Sequence, residues 1–96
     1  MQIRWSRAAA DDLEQIFSYI RTDNFEAAKR VAQAIYDRVE GLGQYPKQGR
    51  NGRLAGTREL PLTPLPFIVV YRIHEASDCV EIITIVRGSQ RWPPLP

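Results

Sequence analysis

FIVVYRI at residues 67–73 and VEIITIV at residues 80–86 are the two runs that decide the fold. Both are rich in β-branched and aromatic side chains, and a turn-like stretch from Glu75 to Asp78 separates them, so together they predict a β-hairpin. Their alternation carries a second message. Val69, Tyr71, Val80 and Ile82 occupy one phase or its neighbour, while Ile68, Val70, Ile83 and Ile85 occupy the other. Strands that are apolar on both faces need two covers. A helical layer supplies one. The other must come from loop 44–56 and the C-terminal segment, from a second copy, or from a partner.

Upstream of the hairpin, Thr57 to Leu62 reads as a strand that Pro61 confines to an edge or an early end. Before it, QYPKQGRNGRLAG at residues 44–56 reads as loop. Further back, Ala28, Val31, Ala32, Ile35, Val39 and Leu42 form the apolar stripe of a helix, stopped by Gly41, Gly43 and Pro46. Asp23 with Glu26 three residues on gives that helix a capping-box-like start. An earlier helix has Ser6 as its N-cap, with Ala9, Leu13, Ile16, Phe17 and Ile20 on its apolar side. Asp11 and Asp12 fall in its early turns and suit the helix dipole. The junction Arg21–Asn24 allows only a tight connection, hence a helical hairpin. Met1 to Trp5 alternates as a first strand. The sum is an α+β fold: one β-α-α-β-β-β domain over residues 1–96, with a helical hairpin packed on a mainly antiparallel sheet.

Charge singles out one stretch. The chain of 96 residues has 13 basic and 11 acidic residues, a net charge of only +2, which argues against nonspecific binding along a polyanion. Yet the basic residues are almost all arginine, and GRNGRLAGTREL at residues 49–60 places Arg50, Arg53 and Arg58 in and beside a Gly-rich loop. Arg72, Arg87 and Arg91 follow. Arginine keeps its charge and offers a planar fork to carboxylate or phosphate, so this pattern points to directed contacts.

Catalytic and metal chemistry find little support in the residues. The only cysteine, Cys79, sits at a strand start and reads as a structural thiol; it allows neither an internal disulfide nor a thiolate zinc cluster. The only histidine, His74, ends a strand beside a turn and lacks the partners of a dyad. GRNGRLAG has the glycines of a phosphate loop but not its Gly-Lys-Ser/Thr ending. Metal-free RNA cleavage could draw on Glu59 as base, with Arg58, Arg72 and Arg87 stabilising charge, but the acid is unfilled. Glu59 is more simply an ion-pair partner of neighbouring arginines. No cofactor or metal is expected. The N-terminus meets acidic residues before any long apolar run, which argues against a signal peptide, and no run has the length of a membrane span. A cytoplasmic protein is expected.

AADDLEQIFSYI after Trp5, AAKRVAQAI, GRNGRLAGTREL, FIVVYRI and the closing IVRGSQRWP, in this order along essentially the whole chain, resemble the RelE/ParE toxin superfamily, and most closely its ParE-like branch. The resemblance implies the same β-α-α-β-β-β architecture and the toxin half of a type II toxin–antitoxin pair. It implies a cognate antitoxin as partner, whose C-terminal segment wraps the toxin, in a heterotetramer or beside a toxin homodimer. ParE-like toxins inhibit DNA gyrase, whereas RelE-like toxins are ribosome-dependent mRNA endonucleases. The nuclease branch carries an arginine where this chain has Phe67 or Ile68, and a His-Tyr pair or a tyrosine where it reads Arg87 to Pro93. Related ParE-like sequences often have a histidine where Arg87 stands.

The resemblance to the ParE-like branch implies a gyrase inhibitor, and the poverty of acid-base groups suits one without a catalytic residue. Its target-binding residues are expected to be Arg50, Arg53, Arg58, Arg87, Arg91 and Trp92. Its antitoxin-binding residues are expected to be Leu13, Phe17, Ile68, Val70, Ile83 and Ile85. The alternative is an mRNA endonuclease acting on ribosome-bound messenger through Glu59, Arg58, Arg72 and Arg87.

Overall fold

The computed structural model describes residues 1–89 together with Trp92 and Pro93. Strand β1 (Gln2–Trp5) leads into helix α1 (Arg7–Arg21) and, after three residues, helix α2 (Phe25–Glu40). Two 3₁₀ turns, Gly41–Gly43 and Pro46–Gln48, precede strands β2 (Arg50–Asn51), β3 (Arg58–Pro61), β4 (Phe67–His74) and β5 (Cys79–Arg87). The sheet order is β1-β5-β4-β3-β2. β1 runs parallel to β5, and the other neighbours are antiparallel. This is the expected α+β fold with one strand more: loop 44–56 contains β2, whose two residues pair with Arg58 and Glu59. Because β2 stops there, Leu60 and Pro61 stay at an open edge, where a proline that cannot donate does no harm.

Caps set the helix starts. Ser6 accepts the Ala9 N–H at 3.0 Å, as its position suggests. For α2 the cap is Asn24 rather than Asp23: the Asn24 side chain accepts the Ala27 N–H at 3.0 Å, one residue later than the capping-box pattern indicates. α1 has no acidic residue in its first turn, so Asp12 does not serve the helix dipole; it reaches the sheet instead.

The helices cover one face of the sheet. Ala9, Ile35, Val39 and Leu42 meet Leu60, Phe67, Val69, Tyr71, Val80, Ile82 and Ile85 in the main core, flanked by Leu13, Ile16 and Val31. Each Val, Leu or Ile buried this way contributes about 1.5–3 kcal/mol. On the opposite face Ile68, Val70 and Val86 form a second buried cluster, with Ile83 and Trp92 packed against it. The second cover of the hairpin therefore includes Trp92 of the chain itself.

One residue changes its phase. Ile85 lies in the main core, not beside Ile68 and Val70. The cause is a register shift: Tyr71 pairs with Ile82 but Val70 pairs with Thr84, leaving Ile83 as the extra residue of a bulge. A bulge inverts the alternation beyond it, so Ile85 turns to the helices and Val86 takes its place outside.

Candidate functional site

The arginine-bearing loop is built on contacts to β3 and β4. Tyr71, fully buried, donates its hydroxyl to the Pro46 carbonyl at 2.6 Å and accepts the Gly49 N–H at 2.9 Å. Gly49 must be glycine here, because a Cβ would stand 2.6 Å from that hydroxyl. Burial pushes the Tyr71 phenol upward, against the lowering pull of the Gly49 N–H and the Arg58 charge. Arg58 turns under the loop and donates to the Gly49 carbonyl at 2.6 Å. Farther along, Gly52 N–H donates to the Thr57 carbonyl at 2.8 Å, and the Thr57 hydroxyl donates to Leu54 at 2.7 Å. Gly56 supplies the left-handed residue of this turn with φ 79°.

Glu59 lies on the helix-free side, paired across β3 and β4 with Val70 of the second cluster. Its side chain is 1% exposed, yet its carboxylate is compensated. One oxygen accepts the Arg53 backbone N–H at 2.9 Å. The other faces the guanidinium of Arg50 at 3.4 Å and that of Arg53 at 3.6 Å. Arg53 also donates to the Trp92 carbonyl at 2.9 Å, tying the loop to the residue that covers Ile68 and Val70. The Trp92 indole N–H is buried with no hydrogen-bond partner among the described residues.

The expected target-binding residues thus divide. Arg50, Arg53 and Trp92 form one unit around Glu59, whereas Arg58 is engaged beneath the loop by Lys47 and Gly49. Arg87 stacks over the rings of Tyr19 and Phe67, 5.7 and 5.5 Å from their centroids. It lies in a groove between α1 and β5 that Trp92 also lines, so Trp92 links the Arg53 and Arg87 sites. Arg91 lies outside the described residues. Of the residues proposed for cleavage, Glu59 is enclosed by Arg50 and Arg53, Arg72 donates to the Gly56 carbonyl at 3.4 Å, and Arg58 and Arg87 stand as described. Of those assigned to an antitoxin, Ile68, Val70 and Ile85 are buried within the chain, while Leu13, Phe17 and Ile83 are half-buried.

A family model described as ParE toxin of type II toxin-antitoxin system, parDE, matches residues 3–92. The chain belongs to the ParE toxin family. A protein of Sinorhizobium fredii (strain NGR234) named "Putative toxin Y4kP" is 44% identical over 92 residues, spanning 96% of this chain and 93% of its own. A chain from the chromosomal ParDE TA system of P. aeruginosa superposes with a TM-score of 0.81 at 32% identity, over 91% of this chain and 95% of that one. A chain from the toxin–antitoxin complex RelBE2 of Mycobacterium tuberculosis gives a TM-score of 0.68 over 93% and 92% of the two chains; at 18% identity that likeness is one of fold. The ParE-family chain is a type II toxin of the RelE/ParE superfamily.

Two features of this ParE-family toxin escape a reading of its sequence. Asp12, on α1, accepts the Ile85 N–H at 3.0 Å and a hydrogen bond from the Thr84 hydroxyl. β1 pairs with β5 only as far as Ile82, so Asp12 serves the edge that β1 leaves open. On the same strand Glu81 takes a 2.8 Å hydrogen bond from His74, which holds its carboxyl below the usual range, aided by the charges of His74, Arg4 and Arg72. His74 is therefore a cross-strand partner. Cys79 is buried, in keeping with a structural thiol. Among the described residues no helix is long and apolar enough to cross a membrane.

Proposed function

We propose that this toxin arrests growth by binding DNA gyrase through the band formed by Arg50, Arg53, Trp92 and Arg87, and that a cognate antitoxin neutralises it. Glu59 carries this reading. It is the only acidic residue of the 49–60 run, and its carboxylate is enclosed by two guanidiniums and a backbone N–H. A carboxylate so held presents arginines; its oxygens are committed before any ribose hydroxyl arrives. The ParE resemblance supports gyrase as the target. The relatives from ParDE and RelBE2 systems support an antitoxin as partner. That antitoxin meets Leu13, Phe17 and Ile83 directly and reaches Ile68 and Val70 only where Trp92 moves aside.

Charge reversal tests the band. Arg53→Glu and Arg87→Glu are each expected to abolish growth arrest on expression without antitoxin, while capture of the purified toxin by its antitoxin persists. Arrest by both variants would remove these arginines from the target surface. Messenger cleavage on programmed ribosomes with unaffected supercoiling would replace gyrase by the ribosome.

A further inference from the structure

Glu59 occupies a position from which it governs more than its own pairing. Both carboxylate oxygens are engaged, by the Arg53 N–H on one side and by the Arg50 and Arg53 guanidiniums on the other. The two arginine side chains are themselves 55% and 44% exposed. Exposed arginines gain little from a surface ion pair and have many rotamers open to them. A carboxylate that is 1% exposed is the opposite case, because it must be compensated wherever it is charged. The demand therefore runs from Glu59 outward. It fixes the backbone at Arg53, it draws in both guanidiniums, and the Arg53 guanidinium in turn holds the Trp92 carbonyl at 2.9 Å. The β2–β3 register assists by placing Arg50 directly opposite Glu59.

We propose that Glu59 is the positioning residue of the target-binding face, its carboxylate setting Arg50, Arg53 and, through Arg53, Trp92 as one unit. The inference rests on the target reading above for its consequence in arrest, but not for its structural content. Glu59→Gln separates charge from size. Its single amide oxygen can accept the Arg53 N–H only by turning the NH₂ toward two guanidiniums, donor against donor, so the hold on Arg53 is weakened whichever way the amide turns.

The test uses the full chain carrying Trp5→Phe, so that Trp92 is its only tryptophan fluorophore. In Glu59→Gln the amide of Arg53 should exchange about tenfold faster and Trp92 should become more accessible to acrylamide, while the amides of Val69 and Val80 stay within about twofold. Gyrase inhibition should fall about tenfold in parallel. Glu59→Asp, which keeps the charge on a shorter stem, should recover part of each change. Unchanged Arg53 exchange and Trp92 quenching would overturn the proposal. Equal acceleration at Val69 and Val80 would make Glu59 a general structural residue and overturn it as well. Should Glu59→Gln yield no folded protein, Arg53→Gln decides: it keeps the carboxylate and the backbone N–H, so Trp92 quenching must rise while the amide at position 53 stays protected, and unchanged quenching overturns the proposal. If the parent chain leaves supercoiling untouched, the gyrase reading falls while exchange and quenching still decide the role of Glu59.

Discussion

At the scale of single residues, Tyr71 shows how a side chain in the core can shape the surface. Its hydroxyl spans from β4 back to Pro46 and Gly49, joining the core to the start of the arginine loop. Tyr71→Phe leaves a buried N–H and a carbonyl without their partner, which is expected to destabilise the fold by about 1–3 kcal/mol in urea unfolding. The phenol also makes that contribution pH-dependent. Its folded value lies above the ordinary one, so the unfolded chain gives up the proton first. The stability is fully present below about pH 10 and is lost as pH rises through the folded value. Tyr71→Phe should flatten that alkaline decline; an identical decline in both chains would assign it elsewhere. FIVVYRI places Tyr71 on the core side of a strand, but nothing in the run says which carbonyl its hydroxyl will find. Glu59 is partly legible in the same sense. Neighbouring arginines suggest an ion pair, yet the partners are Arg50 and Arg53 across a turn, not the adjacent Arg58.

At the scale of elements, composition and periodicity locate the helices and the four longer strands because each buries a regular stripe. They fail where regularity fails. β2 has two residues and no stripe to read, and it exists because β3 offers partners at Arg58 and Glu59. The bulge at Ile83 is equally silent in sequence, since an unbroken apolar run gives no sign of where alternation inverts. Asp12 is the third case: on a helix it looks like a dipole charge, and only the shortness of β1 reveals the open edge that it serves. Asp12→Ala should therefore lower stability by about 1–3 kcal/mol, measured as a urea midpoint, by leaving the Ile85 N–H without its acceptor. Asp11→Ala, one residue away on an exposed position, should change the midpoint little. Equal effects from the two would mean that the strand edge gains nothing from Asp12.

For the molecule as a whole, the two apolar faces of one hairpin explain its organisation. One face receives the helical layer, and the other is closed by Trp92 over Ile68, Val70 and Val86. The need for a second cover is written in the sequence; its source is not, because Trp92 is held by a hydrogen bond from Arg53, 39 residues earlier. Arginine loop and Trp92 thus meet on the helix-free face, and the groove beside α1 brings in Arg87. Family membership places this architecture among type II toxins, and the band of arginines is the surface proposed here to meet the target. The most direct measurement is ATP-dependent supercoiling of relaxed plasmid by purified gyrase, with increasing amounts of this chain, alone and premixed with its antitoxin. Supercoiling is expected to stop as the toxin saturates gyrase and to return when antitoxin is present. Full supercoiling at saturating toxin, alongside cut messenger on ribosomes challenged with the same preparation, would contradict the gyrase reading.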